Sequence, residues 1–343
     1  MIPARLVHAF DLQAGHCEAL GSPFMGRLCR LFAGRDWPEN ALRSRIFAWD
    51  GDLSGAAQSI PLRLAGGFHA LVLKGHRLAA VYPPQNASDH ELWAAVCAAF
   101  VSDEAFLDAW MDSPPQTNEV RRAAVLIAVG HVLAARFGMP LRLSELGASG
   151  GLNLMWDRYG LDVCGARFGR ADANVVLTPD WNGVAPPRAG VVVADRRGVD
   201  LNPLNPRDAM DALRLRAYLW PDQPDRLQRT EAAIAGFDAT VDRGDAIEWL
   251  AAQLDGQDGV CHLIYHTIAW QYFPVEVQSR GKAMIEAAGA KATAEAPLAW
   301  FGMEPDGNDK GAAMTLRIWP DGITVDLGRV DFHGRWVDWK GWT

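Results

Sequence analysis

Around residue 145 the chain reads Glu145-Leu-Gly147-Ala148-Ser149-Gly-Gly151-Leu-Asn153. A carboxylate precedes a run of small residues. Glycines let the backbone adopt φ > 0 and approach a ligand closely, and a helix start presents N–H groups with no partner inside the helix. Two further acids follow at wide spacing: Asp200, followed by Leu201, in Gly198-Val-Asp-Leu-Asn-Pro203, and Asp245, followed by Ala246, after Gly244. A carboxylate accepts two hydrogen bonds side by side, which suits a vicinal diol. Tyr265-His266 ends a later apolar run, and a histidine there could exchange a proton near neutral pH. The pattern predicts a nucleotide-type pocket built from Glu145, Gly147, Ala148, Ser149, Gly151, Asn153, Asp200, Leu201, Asp245 and Ala246, with the chemistry near Tyr265 and His266. Each part also has a plainer reading. Glu145 could pair with Arg142 or Arg122, Asp245 could cap the helix Ala246–Leu254, and His266 could be a satisfied core histidine.

The elements that must position these residues are legible from apolar spacing. Residues 3–34 read as two helices, with Ser22 as N-cap and Pro23 at the first helical position. Ser88 and Glu91 form a capping box ahead of a helix through about Phe100. Asp112-Ser-Pro-Pro115 is a strong stop. A helix over Val120–Phe137 ends at Gly138-Met-Pro140. Short apolar runs then alternate with helical stretches, the signature of βαβ units. The runs are Leu141–Leu146, Gly190–Asp195 continuing to Asp200, Ala239–Val241, Gly259–His266 and Pro297–Phe301. Ala313–Trp319 and Ile323–Leu327 read as a hairpin about Pro320-Asp-Gly322. Residues 156–190 form an insert, with a strand at Asn174–Leu177 and a turn at Pro179–Gly183, expected to lie over the binding edge. The expected fold is α/β: a Rossmann-type, mostly parallel sheet over 116–343 with a C-terminal antiparallel hairpin, and a mainly helical domain or lid over 1–115.

Composition narrows the classes. The chain has 343 residues and a net charge of −8; an acidic balance opposes duplex nucleic-acid binding, which needs a basic footprint. No apolar run approaches the ~20 residues of a membrane span, and the first residues lack a signal-peptide pattern. The five cysteines (17, 29, 97, 164 and 261) contain no CxxC pair, so neither a disulfide framework nor a metal site is expected. The expectation is a cytoplasmic protein with a small-molecule partner, no nucleic acid and no membrane. Fourteen tryptophans, three of them in the last eight residues, could pack cores or line ligand pockets.

In Rossmann-type methyltransferases the acid before the loop handles the amino-acid end of S-adenosylmethionine, a second acid takes the ribose hydroxyls, and a third sits near the adenine; Glu145, Asp200 and Asp245 stand in that order. A dinucleotide fingerprint would need Gly-x-Gly-x-x-Gly and an acid about 20 residues on; here Ser149 takes a glycine place and Asp200 lies much further away. The chain resembles an uncharacterised bacterial family, a domain of unknown function with a methyltransferase-like core. The resemblance rests on Pro61-Leu-Arg-Leu with His69, the Glu145–Leu154 segment with Trp156-Asp-Arg-Tyr159, Asp195–Pro203, Trp220-Pro-Asp-Gln223, Tyr265-His266 and His333–Trp339. It implies the fold; the three acids in methyltransferase order are what lead to S-adenosylmethionine as the expected cofactor. The expected activity is methyl transfer to a small molecule. The alternatives are a non-catalytic metabolite-binding protein or an NAD(P) oxidoreductase. His69, Asn153, Asp157, His333 and Arg196-Arg197 are secondary candidates.

Overall fold

The computed structural model describes residues 1–55, 57–308 and 310–342. The chain divides into two compact units, Met1–Thr117 with Asp208–Glu231, and Asn118–Arg207 with Ala232–Thr343.

The first unit is helical: α1 (Ala4–Ala19), α2 (Pro23–Gly34), α3 (Ala41–Phe47), α4 (Ile60–Leu73), α5 (Asp89–Ser102) and α6 (Glu104–Trp110). Ser22 caps α2 by accepting from the Met25 N–H, and Ser88 with Glu91 completes the capping box of α5. α4 is apolar almost all round and runs through the unit's core. A division at 115/116 would leave residues 208–231 with the sheet, but they belong here. The reason is packing. α8 (Ala209–Ala217) lies on α4, where Gly66 leaves room for the Tyr218 ring; a Cβ at 66 would sit 2.5 Å from it. Asp222 accepts from the Ser22 hydroxyl and, at 2.9 Å, from the Phe24 N–H. The Trp220–Gln223 motif is therefore a clamp on the start of α2. His69 Nδ1 lies 3.1 Å from the Ala217 carbonyl, and burial lowers its pKa to about 4; it is a neutral donor joining α4 to the end of α8.

The second unit is built on a nine-stranded, mixed but mainly parallel sheet. Its strands are β1 (Leu141–Leu146), β5 (Asp180–Gly183), β6 (Val193–Asp200), β7 (Thr240–Arg243), β8 (Cys261–Thr267), β9 (Leu298–Glu304), β10 (Ala312–Trp319), β11 (Ile323–Val330) and β12 (Trp336–Trp339). The order is β5-β12-β11-β10-β9-β8-β1-β6-β7. β7, β6, β1, β8 and β9 run parallel; β10 and β11 form the C-terminal antiparallel hairpin. Side chains alternate across a sheet, and here the alternation sorts two cores. Leu141, Leu143, Leu263, Tyr265, Phe301 and Met314 face α7 (Ala123–Phe137). Leu146, Ile264 and Leu298 face α10 (Ala246–Ala251) and α11 (Val275–Gly289). The remaining helix, α9 (Pro224–Ala235), begins in the first unit and ends in the second.

The insert is not arranged as expected over the binding edge. β2 (Gly160–Val163), β3 (Ala166–Gly169) and β4 (Val176–Leu177) form a small sheet packed on α7, where the His131 ring accepts from the Gly169 N–H. β5, read as a turn in the sequence, pairs with β12 at the far edge of the main sheet. Leu152–Arg158 winds as a 3₁₀ helix. Two of its carbonyls serve side chains instead of a regular α ladder: Leu152 O accepts from Tyr159 and Leu154 O from Arg196. No helix among the described residues is long and apolar enough to cross a membrane.

Gly130 tests the packing of α7. A Cβ there would lie 2.2 Å from the buried Trp156 ring. Alanine should add about 1 kcal/mol of helix propensity, against about 3 kcal/mol of overpacking. Gly130→Ala is therefore expected to lose about 2 kcal/mol in urea unfolding; a gain in stability would refute the contact.

Candidate functional site

The C-terminal ends of the parallel strands carry the predicted residues. In register, Glu145 of β1 stands beside Gly198 of β6 and Tyr265 of β8, so Asp200, two residues beyond Gly198, flanks the exit of β1. The Gly147 and Ala148 N–H groups both donate to Val199 O, at 2.9 and 3.0 Å. Asp200 then holds the turn: one oxygen accepts from the Ser149 N–H (2.8 Å), the other from the Asn202 N–H (2.9 Å). Gly147, Ser149 and Gly151 all have positive φ. The glycines are also required sterically, since a Cβ at 147 would meet Ala269 Cβ at 2.5 Å and one at 151 would meet Val241 Cγ2 at 2.6 Å. Ser149 adopts the same region against its side chain's preference, a strain of order 1–3 kcal/mol. Its hydroxyl oxygen is buried without a hydrogen-bond partner, and so is Asn153 Oδ1.

Glu145 is buried with Tyr265. The Tyr265 hydroxyl has one proton and two acceptors nearby, Asn153 O at 3.1 Å and Glu145 Oε2 at 3.5 Å; the closer one takes it. Burial, then the charge of Asp200, pushes the Glu145 carboxyl well above its ordinary range. Burial likewise raises the Tyr265 phenol. Ala148 is buried, whereas Leu201 next to Asp200 is 72% exposed.

Asp245 serves its own helix. Its Oδ1 accepts from the Ile247 and Glu248 N–H groups, and Arg280 approaches it at 3.5 Å. Ala246 begins α10 immediately after it. Tyr265 and His266 are chain neighbours on opposite faces of the sheet. His266 Nδ1 lies 2.8 Å from Glu304 Oε1, and the Trp300 indole N–H donates to its Nε2 at 3.1 Å. An indole N–H only donates. Nε2 therefore accepts, Nδ1 faces the Glu304 carboxylate, and both ring nitrogens are engaged. Glu304 was missed in the sequence because strand five was ended at Phe301, three residues short.

The family model for uncharacterised proteins conserved in bacteria (DUF2332) matches residues 7–339. The chain belongs to that family. No curated protein and no solved structure matches.

The secondary candidates of this DUF2332 chain are tied into the fold. Asp157 pairs with Arg196, Arg197 with Asp242, and the His333 N–H donates to Asp331. Among the described residues no group of three or more His, Cys, Asp or Glu is placed to hold a metal.

Because the folded-state pKa of Glu145 is raised, the native state keeps a proton that the unfolded chain gives up near pH 4.3 (about the free glutamate value). Stability is thus greatest below that pH and falls as pH rises through the folded value. Glu145→Gln should flatten this decline in urea unfolding compared at about pH 5 and about pH 8; an unchanged slope would show that Glu145 is ionised in the native state.

Proposed function

We propose that the chain is an S-adenosylmethionine-dependent methyltransferase acting on a small molecule. The observation that carries this reading is topological. The five parallel strands lie in the order third, second, first, fourth, fifth along the chain, and the glycine turn leaves the first at the point where the order reverses. In open α/β sheets of this Rossmann type, ligands bind outside the carboxyl ends of the strands at that switch point. The residues present suit the cofactor. Two buried oxygens without partners, Ser149 Oγ and Asn153 Oδ1, lie on the turn and just after it. Glu145 and Asn153 would face the amino-acid end and Asp200 the ribose. Leu201 offers an exposed apolar side chain for the adenine, and Ala246 would flank it. Asp245 is already engaged with α10 and Arg280, so its contribution is to hold Ala246 in place.

Bound, the cofactor supplies an electrophilic methyl group. The chain's own residues then position the two reactants, which is where most of the acceleration of such a transfer lies. The turn is fixed in advance by Asp200. Glu145 would give up its proton when a cationic group settles beside it. Neither Tyr265, which is fully buried, nor His266, whose Nε2 is taken by Trp300, presents a base. The acceptor therefore arrives already nucleophilic. The same lack of a free base favours the second reading, a metabolite-binding protein without turnover.

Titration calorimetry with S-adenosylhomocysteine, S-adenosylmethionine and NAD separates these readings. S-adenosylhomocysteine should bind with net proton release, seen as an enthalpy that varies with the buffer's heat of ionisation. Asp200→Ala should weaken it roughly ten-fold or more, about 1.4 kcal/mol. Binding of NAD alone would overturn the proposal, and tight S-adenosylmethionine binding with no methyl transfer to any metabolite pool would favour the second reading.

A further inference from the structure

On the face of the sheet opposite Glu145, a hollow of about 260 Å³ opens at the ends of β9 and β10. Its floor is made by small residues paired across the two strands, Gly302 against Thr315 and Glu304 against Ala313. Its walls are Trp270 and Trp300, whose ring centroids are 5.4 Å apart at 54°. Gly302 is required there, because a Cβ would lie 2.9 Å from the His266 ring.

The electrostatics of this hollow are unbalanced. Glu304 Oε1 accepts three hydrogen bonds, from His266 Nδ1 (2.8 Å), the Ala269 N–H (2.9 Å) and the Trp270 N–H (3.0 Å). Oε2 is buried with no partner. Burial raises the carboxyl's pKa, but the bond to His266, the attraction of that ring and the two amides outweigh it and hold the group below its ordinary value. Glu304 is thus a half-buried anion with one fully buried oxygen. The other ring nitrogen of its histidine neighbour is taken by the Trp300 indole N–H. The other charges nearby are matched among themselves: Asp306 with Arg329, and Arg317, spread over the Trp300 ring, with Glu286. An anion buried without a counter-ion is costly, and indole faces attract cations.

We propose that this hollow binds a small organic cation, an alkylated or quaternary ammonium group, seated against Trp270 and Trp300 with Glu304 as its counter-ion. The volume lies below the ~300–1,000 Å³ of pockets for drug-sized ligands, which fits a headgroup of a few heavy atoms. An inorganic anion is repelled by Glu304, and a neutral ligand gains nothing from its charge. The inference stands apart from the methyltransferase reading, since the site lies on the other face of the sheet and needs no adenosyl ligand.

The test uses the full chain with choline as probe and dimethylbutanol, its uncharged carbon isostere, as control. Binding is read by saturation-transfer NMR on the ligand methyl protons and by titration calorimetry. Choline should bind at millimolar concentration or better, and the neutral isostere roughly ten-fold more weakly or worse. Glu304→Gln keeps an oxygen for the three donors while removing the charge, and should weaken choline by a similar factor. Thr315→Leu leaves the Glu304 network intact and fills the hollow, so it should abolish binding. Circular dichroism verifies that both variants are folded. Equal binding of choline and its isostere, choline binding unchanged in the folded Glu304→Gln or Thr315→Leu variants, or no choline binding to the wild-type chain would each overturn the proposal. If Glu304→Gln does not fold, Thr315→Leu and the isostere comparison decide.

Discussion

One carboxylate ties together the exits of two parallel strands. The chain leaving β1 must turn away at once, and the chain leaving β6 must turn beside it. Asp200 accepts an amide from each turn, Ser149 from the first and Asn202 from the second. That clip explains why Ser149 stays in a left-handed conformation that its side chain disfavours, and why its hydroxyl is held inside. Ser149 O in turn accepts from the Leu204 N–H, so the second turn is fixed to the first. A ligand meeting this edge would find backbone already set, and little conformational entropy left to lose.

Two glutamates at this edge, Glu145 buried and Glu304 half-buried, show how local donors decide charge. Glu145 has one hydroxyl at 3.5 Å and the like charge of Asp200 nearby, so desolvation prevails and favours the protonated acid. Glu304 has three donors within 3.0 Å, two of them backbone amides, and they outweigh the same desolvation. Both effects follow from how many hydrogen bonds reach the charged form. The period of the strand then keeps the two acids on opposite faces, with Tyr265 beside one and His266 beside the other. Adjacent residues of one strand thus serve separate environments.

Much of the sheet was legible because its strands are short apolar runs closed by glycine or proline. Leu141–Leu146 matches β1 residue for residue, and the Pro320-Asp-Gly322 turn joins β10 to β11. The caps at Ser22 and Ser88 follow from local hydrogen bonding and were equally readable. β5 and β12 were not read as strands. Each has four residues rich in Trp, Asp, Asn or Gly, and pairing across the sheet, not propensity, makes them extended. The placement of 208–231 was hidden for a related reason: the Tyr218 ring fits the gap left by Gly66, far away in sequence. At the edge of the sheet the residue types were visible but their engagement was not. Asp245 looks the same in sequence whether it caps a helix or faces a ligand, and only the amides of Ile247 and Glu248 distinguish the two.

The departures from folding rules bear on function because of where they sit. Asp331, another buried acid of this unit, is answered fully: Arg335 bonds both its oxygens and the His333 N–H adds a third bond. Near the N-terminal end of β8, the buried His262 is satisfied by Ser144 of β1 at 2.8 Å. The C-terminal edge behaves otherwise. It holds a strained serine, a glutamate whose carboxyl is pushed well above its ordinary range, and a second glutamate with one buried oxygen unused. A sequence selected for stability alone would put apolar side chains at 145 and 304, because buried charges gain little over a packed hydrophobic core. Local rules are commonly broken where a site is built and obeyed elsewhere. That contrast within a single sheet is what singles out the C-terminal edge, on both faces, for the two binding sites proposed above.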